Sequence, residues 1–189
     1  MREGRSDGTF GAMSSPAEAA TIVLHPRLGR FVLRGRPEAV DAAGGAYGVA
    51  LPRQACRAAL AGSRAALWLG PDEWLLLLPE SEVENCTAAL TRALAGLRHS
   101  LVDISHRQVG LDVAGPEAAT VLNAGCPLDL DGAVFPVGTC TRTVLGKAEI
   151  VLWRLAEQRF RIEVAQSFAP YVLGLLNEAS REFARQDGA

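Results

Sequence analysis

The sequence predicts an α+β domain made of two similar units, each with the order strand, helix, hairpin, helix. Hydrophobic residues make up 49% of the 189 residues, which suffices for a sizeable core. Strand-like and helix-like patterns follow one another in the same order twice, and the tripeptide PEA at 37–39 returns at 116–118. We therefore predict one duplicated domain over 21–183, with a first unit of about 22–100 and a second of about 101–183.

The first unit opens with a strand and a helix. RFVLRG, from Arg30 to Gly35, alternates apolar and polar residues as a half-buried strand does. In the PEAVDAAGG that follows, Pro37 suits the first helical turn and Gly44 suits the end of the helix. These residues predict a strand-helix pair.

A hairpin and a second helix complete the first unit. AALWLGPDEWLLLLP has two apolar runs around the turn formers between Gly70 and Glu73. Ser81 and Glu84 then have the spacing of a capping box. Apolar residues recur after Ser81 at helical intervals, at Val83, Cys86, Leu90, Ala93, Leu94 and Leu97.

The second unit repeats this order. A strand is predicted over Leu111–Gly115, and a helix is predicted between Pro116 and Gly125. A hairpin turns at Gly146–Lys147, and a final helix begins at the candidate cap Ser167. Between these two elements FRIEV alternates, which predicts a strand with apolar residues on one face and Arg161 and Glu163 on the other.

The composition excludes several classes of protein. The 19 basic and 21 acidic residues give a net charge of -2 without a run of one sign, which argues against nucleic acid as a partner. The longest central apolar run, Trp74–Leu78, is too short to span a membrane, and 1–20 is predicted to be a flexible tail without the apolar core of a signal peptide. We therefore expect a cytoplasmic protein.

The cysteine and histidine positions predict no metal site. The four cysteines include no C-x-x-C pair, and the three histidines have no H-x-x-x-H spacing. No G-x-G-x-x-G motif opens a helix, so no dinucleotide site is predicted either.

The stretch DISHR, residues 103–107, contains the residue types of a nucleophilic triad. LVDIS reads as a strand, and successive side chains of a strand point to opposite faces, so His106 cannot take a proton from Ser105. We predict that DISHR comprises the polar residues of a strand and its exit turn. Asp103, Ser105 and Arg107 then share one face, which makes them candidates for a subunit interface, and no catalytic residue is predicted.

With these motifs in place, residues from about Leu101 to Ala179 resemble the gamma subunit of the heterotetrameric sarcosine oxidases. GPDEWLLL in the first unit fits as well. The resemblance depends on the order and spacing of several segments, which are DISHR, AGPEAATVLNAGCPLDL, FPVGTCTRTVLGKAEIVLWR and FRIEVAQSFAPYVLGLL. That family is similar in turn to the folate-binding domain of the aminomethyltransferase of glycine cleavage, so the resemblance implies that domain's α+β fold.

The resemblance also implies a function. It implies an accessory subunit without a cofactor of its own, assembled with alpha and beta subunits that carry FAD, FMN, NAD and the tetrahydrofolate site. The implied reaction of the complex is oxidative demethylation of sarcosine to glycine, with hydrogen peroxide formed and the one-carbon unit passed to tetrahydrofolate. Because no residue here can be matched to a folate ligand, we expect the chain alone to be non-catalytic.

Two other functions stay open at the level of the sequence. One is a free-standing folate-dependent one-carbon binding protein or aminomethyltransferase-like protein, which needs a pocket with convergent polar groups. The other is a binding scaffold with no link to sarcosine.

Overall fold

The computed structural model describes residues 20–25 and 27–186, so the predicted tail over 1–20 lies almost wholly outside the described residues. The described part contains ten strands and four helices, and a short 3-10 turn precedes each of the helices α2 and α4. The strands are β1 (Thr21–Leu24), β2 (Leu28–Gly35), β3 (Ala58–Ala61), β4 (Arg64–Gly70), β5 (Glu73–Pro79), β6 (His99–Asp103), β7 (Gln108–Ala114), β8 (Cys140–Leu145), β9 (Ala148–Ala156) and β10 (Arg159–Ala165). The helices are α1 (Pro37–Tyr47), α2 (Val83–Ala93), α3 (Ala118–Asn123) and α4 (Ala169–Gln186).

The strands form two antiparallel sheets of five strands each. The first sheet has the order β3-β4-β5-β2-β6, and the second sheet has the order β8-β9-β10-β7-β1. The two orders correspond position by position, but the outermost strands cross over. Strand β1 precedes β2 in the chain yet pairs with β7, with Thr21 opposite Ala114. Strand β6 precedes β7 yet pairs with β2, with Phe31 opposite Asp103. Strand β1, which comes first in the chain, therefore completes the second sheet, and β6, which directly precedes β7, completes the first sheet.

The two sheets lie face to face between two layers of helices. Side chains of α1 and α2 pack with one face of the first sheet, around Phe31 and Leu76. Side chains of α3 and α4 pack with one face of the second sheet, around Leu111 and Ile162. A third cluster, which includes Trp153, contains residues of both sheets and none of a helix. The layers are therefore helix, sheet, sheet, helix.

The ends of the helices differ from the predicted ones. Helix α1 continues past Gly44 to Tyr47, and Gly48 forms the left-handed cap with φ 79°. The predicted caps Ser81 and Ser167 are both wrong, because each serine lies inside a 3-10 turn that has no side-chain cap. No described helix has both the length and the apolar character needed to cross a membrane.

Candidate functional site

The turn after β6 contains the predicted interface residues. Strand β6 ends at Asp103, and residues 105–107 form the turn that leads into β7. The Ser105 N–H and hydroxyl both donate to Asp103 Oδ1, at 2.8 and 2.5 Å. The Arg30 N–H of β2 donates to the Ser105 hydroxyl oxygen at 2.9 Å. The Ser105 hydroxyl therefore ties the turn to the first sheet.

His106 and Arg107 are exposed in this turn. The strand predicted over LVDIS is present but ends too late in the prediction, because Asp103 is the last residue paired with β2 and the chain then turns. Among the described residues, no hydrogen bond or ion pair of the His106 or Arg107 side chain is found, although the Arg107 carbonyl accepts the Gln166 N–H at 2.9 Å. The turn is thus held by its backbone and by the side chains of Asp103 and Ser105, while the Arg107 side chain is exposed.

A cavity of about 320 Å³ adjoins the turn. It is lined by His25 and Arg30 from the β1–β2 side of the chain and by Ser105, His106 and Gln166 from the other side. The Ser105 hydroxyl donates to Asp103 and accepts from the Arg30 N–H, and among the described residues no hydrogen bond joins it to His106, so the serine and histidine of DISHR do not form a nucleophile-base pair.

A charged cluster lies buried between the two sheets. Glu163 on β10 accepts from Arg30 Nε of β2 at 2.6 Å and from Arg161 Nε at 2.7 Å. Relative exposure is 1% for Glu163, 2% for Arg30 and 6% for Arg161. The pair between Arg30 and Glu163 joins the first sheet to the second, and breaking such a desolvated pair leaves an uncompensated charge.

The side chains of this charged cluster fit between the sheets because Gly110, which lies beside them on β7, has no side chain. A Cβ on Gly110 would lie 2.6 Å from Arg161 Nη2, 2.9 Å from Glu163 Oε1 and 3.2 Å from Arg30 Nη2. Sequence reasoning assigned Arg161 and Glu163 correctly to one face of a strand. It missed that this face is buried, because alternation alone does not show what covers the polar side of a strand.

A second ion pair joins β10 to β7 beside the residue that follows β1. Asp112 of β7 is 5% exposed and accepts from Arg159 Nε at 2.9 Å. His25 Nε2 lies 3.2 Å from the other carboxylate oxygen of Asp112. This contact holds the end of β1 against the second sheet.

Two buried thiols, Cys86 and Cys140, and the buried phenol of Tyr47 are held in their protonated forms. Burial raises the pKa of the Cys140 thiol to about 12, and burial likewise raises the pKa of Cys86. Burial also raises the pKa of Tyr47, whose hydroxyl donates to the Leu77 carbonyl at 2.6 Å. Across residues 20–25 and 27–186, no group of three or more His, Cys, Asp or Glu side chains is placed to hold a metal ion.

Comparison with known proteins identifies the family of this chain. Residues 35–182 match the model of the "Sarcosine oxidase, gamma subunit family". The chain belongs to the sarcosine oxidase gamma subunit family. It is 34% identical to the sarcosine oxidase subunit gamma of Corynebacterium sp. (strain P-1), across 98% of this chain and 93% of the relative. It is 31% identical to the corresponding subunit of an Arthrobacter species, across 97% and 92% of the two chains.

Solved structures agree with membership of the gamma subunit family. A chain of the heterotetrameric sarcosine oxidase from Corynebacterium sp. U-96, in complex with pyrrole 2-carboxylate, superposes with a TM-score of 0.84 at 33% identity, covering 90% of this chain and 88% of that chain. Aminomethyltransferase T from Bartonella henselae superposes with a TM-score of 0.65 at 17% identity, covering 85% and 46% of the two chains, which shows a shared fold.

These matches settle two of the sequence-based expectations. The predicted resemblance to the gamma subunit and the α+β fold shared with aminomethyltransferase are both confirmed. The family match favours the gamma subunit over the free-standing folate-dependent alternative.

Proposed function

We propose that this chain is the accessory gamma subunit of a heterotetrameric sarcosine oxidase and acts by assembling with the alpha and beta subunits. The observation that carries the proposal is the similarity to gamma subunits along nearly the whole chain, 34% identity over 98% of its length. In this function the assembled complex demethylates sarcosine oxidatively to glycine, forms hydrogen peroxide and passes the one-carbon unit to tetrahydrofolate.

The chemistry belongs to the partner subunits in this proposal. FAD, FMN, NAD and tetrahydrofolate are bound by the alpha and beta subunits, and this chain contributes no catalytic or cofactor-binding residue. The bonding of Ser105 within its turn supports that division, because its hydroxyl is bonded to Asp103 and the Arg30 N–H and, among the described residues, not to His106. The complex is cytoplasmic in this proposal.

The turn after β6 is the proposed docking point for a partner subunit. Asp103 and Ser105 fix the shape of the turn through their hydrogen bonds. Arg107 extends from it with an exposed guanidinium, whose planar fork can bind a partner carboxylate or backbone carbonyls. Arg107 thus makes the contact with the partner subunit, and Asp103 and Ser105 hold the turn in the conformation that exposes Arg107.

We also propose that the described part of the chain is a single duplicated domain, with units of about 22–100 and 101–183. The matching strand orders of the two sheets support this division. The exchange of β1 and β6 between the sheets supports a single cooperative domain, because neither sheet is complete without the other unit.

Co-expression with the alpha and beta subunits tests the proposed function. Arg107→Ala is compared with Arg92→Ala, a matched exposed arginine on α2, and with His106→Ala. We expect Arg107→Ala to weaken assembly by about 2 kcal/mol if the contact is desolvated in the complex, and Arg92→Ala to leave assembly unchanged. His106→Ala should keep the turnover per assembled complex.

Three outcomes of this experiment contradict the proposal in different ways. A chain that does not co-purify with the alpha and beta subunits rejects the assignment as a gamma subunit. Equal assembly of Arg107→Ala and Arg92→Ala rejects the turn as the docking point. Lost turnover in His106→Ala, with normal assembly and flavin content, rejects the non-catalytic role of DISHR.

A further inference from the structure

The arginines between the sheets outnumber the carboxylates that face them. Arg30 and Arg161 share the single carboxylate of Glu163. The neighbouring Arg64 and Arg159 each pair with a carboxylate of their own. With histidine neutral, the cluster therefore has one positive charge more than it has negative charges. A desolvated excess charge is costly unless an anion compensates it.

Four polar atoms near this excess charge are buried without a hydrogen-bond partner among the described residues. They are the nitrogens Arg161 Nη2, Trp153 Nε1 and His25 Nδ1 and the carboxylate oxygen Asp112 Oδ1. Arg161 is 6% exposed and Trp153 is 4% exposed. Both of their unpartnered atoms are donors only, so both require an acceptor that the described protein does not supply.

Arg161, Trp153 and His25 line one cleft of about 200 Å³ between the edge of β3 and strands β9 and β10. Arg64 and Arg159 line the same cleft, and Leu28, Leu77 and Leu155 supply apolar walls. The volume is below the usual range for ligand pockets, about 300–1,000 Å³, so the cleft suits a small ligand. A water molecule could accept from the donors, but it would not neutralise the charge.

We propose that this cleft binds a carboxylate with a small apolar body, held by Arg161 and by the indole N–H of Trp153. A carboxylate supplies several acceptor sites, matches the guanidinium fork and cancels the excess charge. The carboxylate comes either from a small molecule or from a side chain or terminus of a partner subunit. The inference rests on the isolated chain and does not depend on the proposed function.

Titration of the full-length chain with butyrate tests this site, with butyramide as the neutral control of the same shape. The readout is the Trp153 indole N–H signal in a ¹H–¹⁵N spectrum, which is assigned by its loss in Trp153→Phe. We expect a saturable shift of this signal with butyrate and none with butyramide. Isothermal titration calorimetry then gives the affinity of each variant for butyrate.

Matched variants distinguish binding of butyrate in the cleft from nonspecific attraction of butyrate to positive charges elsewhere on the protein. Arg161→Met should weaken butyrate binding about tenfold or more, since hydrogen bonds to charged groups are the strong ones. Trp153→Phe should weaken binding severalfold, because it removes the indole N–H while keeping an aromatic ring at this position. Arg142→Met and Trp68→Phe change the same residue types outside the cleft and should leave the affinity unchanged.

The same titration on the complex with alpha and beta subunits separates the two sources. Butyrate binding in the isolated chain and in the complex assigns the cleft to a small carboxylate. Binding in the isolated chain that is lost in the complex assigns it to a carboxylate of a partner. The proposal is overturned if butyrate gives no saturable shift, if butyramide shifts the signal equally, or if Arg161→Met and Trp153→Phe both bind butyrate as the wild type does.

Discussion

The two sheets turn similar apolar faces toward their helices, but the faces that they turn toward each other differ in polarity. Strands β5 and β10 hold corresponding positions in the two sheets. Toward the other sheet, β5 presents Leu75 and Leu77, whereas β10 presents Arg161 and Glu163. All four residues are buried. Contact between the sheets can therefore be built from apolar packing on one strand and from ion pairs on its counterpart.

This difference shows where the fold constrains the sequence. The helix-facing side of β10 keeps Phe160, Ile162 and Val164, as an amphipathic helix layer requires. The inward side is free to become charged provided that every charge finds a partner. The buried ions then need to be matched as closely as apolar side chains need to be packed.

The largest effect is expected from removing the carboxylate at the centre of the inward face. Glu163→Gln leaves Arg30 and Arg161 buried together without a negative charge. We expect the free energy of unfolding to fall by about 3–5 kcal/mol, because breaking a buried pair leaves an uncompensated ion. Urea denaturation measures this change.

Glu178→Gln is the matched control, because Glu178 pairs with Arg181 in an exposed position on α4. Its free energy of unfolding should change by less than about 0.5 kcal/mol. If Glu163→Gln and Glu178→Gln lower the free energy of unfolding equally, the inward charges do not hold the two sheets together. The comparison between the two faces then fails.

An intermediate effect is expected from filling the space beside the cluster. Gly110→Ala places a Cβ within 3.0 Å of Arg161 Nη2 and of Glu163 Oε1, so the ion pair must shift. We expect a loss of about 1–3 kcal/mol, as is usual for overpacking. Thermal unfolding of this variant is compared with that of Gly45→Ala in α1, where a Cβ meets nothing within 4 Å.

Gly45→Ala should be neutral or stabilising by up to about 1 kcal/mol, because alanine favours the helix interior. A Gly110→Ala variant as stable as the wild type would show that the charged face is loosely packed, in contrast to the apolar face opposite it.

The smallest effect is expected from an ion pair that joins the two sheets at the surface. Arg142 of β8 donates to Glu73 of β5, with an Nη1–Oε2 distance of 3.2 Å. Because the Arg142 side chain is 48% exposed, Arg142→Ala should cost less than about 1 kcal/mol, and added salt should reduce the cost further. Denaturation at low and high salt measures this. If Arg142→Ala lowers the free energy of unfolding as much as Glu163→Gln does, the ion pairs that stabilise the contact between the sheets lie at its exposed edge and not in its interior.

Much of the fold followed from local patterns in the sequence. The hairpin turn at Gly146–Lys147 lies between β8 and β9 as predicted, and the apolar helical positions Cys86 and Leu90 are buried. The exchange of β1 and β6 was not predicted, because pairing between distant strands leaves no periodic signal. The short strand β3, AALA, was missed because alanine alternation is weak.

The candidate sites were harder to predict than the elements. The non-nucleophilic interpretation of Ser105 came from its neighbours in sequence, whereas its actual restraint is a hydrogen bond from Arg30, 75 positions away. The unpartnered donors of Trp153 and Arg161 depend on which strands lie opposite, so only three-dimensional placement shows them.

The crossing of β1 into the second sheet has a consequence for synthesis on the ribosome. Thr21 pairs with Ala114, so β1 has no neighbour until residues 108–114 have emerged. Translation of the intervening chain, about 90 residues at about 5–20 residues per second, takes about 5–20 s. During that time β2 to β6 can already form the first sheet, while the apolar edge TIVL waits unpaired. Nascent β1 therefore offers an unpaired apolar strand edge to a chaperone or to a neighbouring chain throughout this interval.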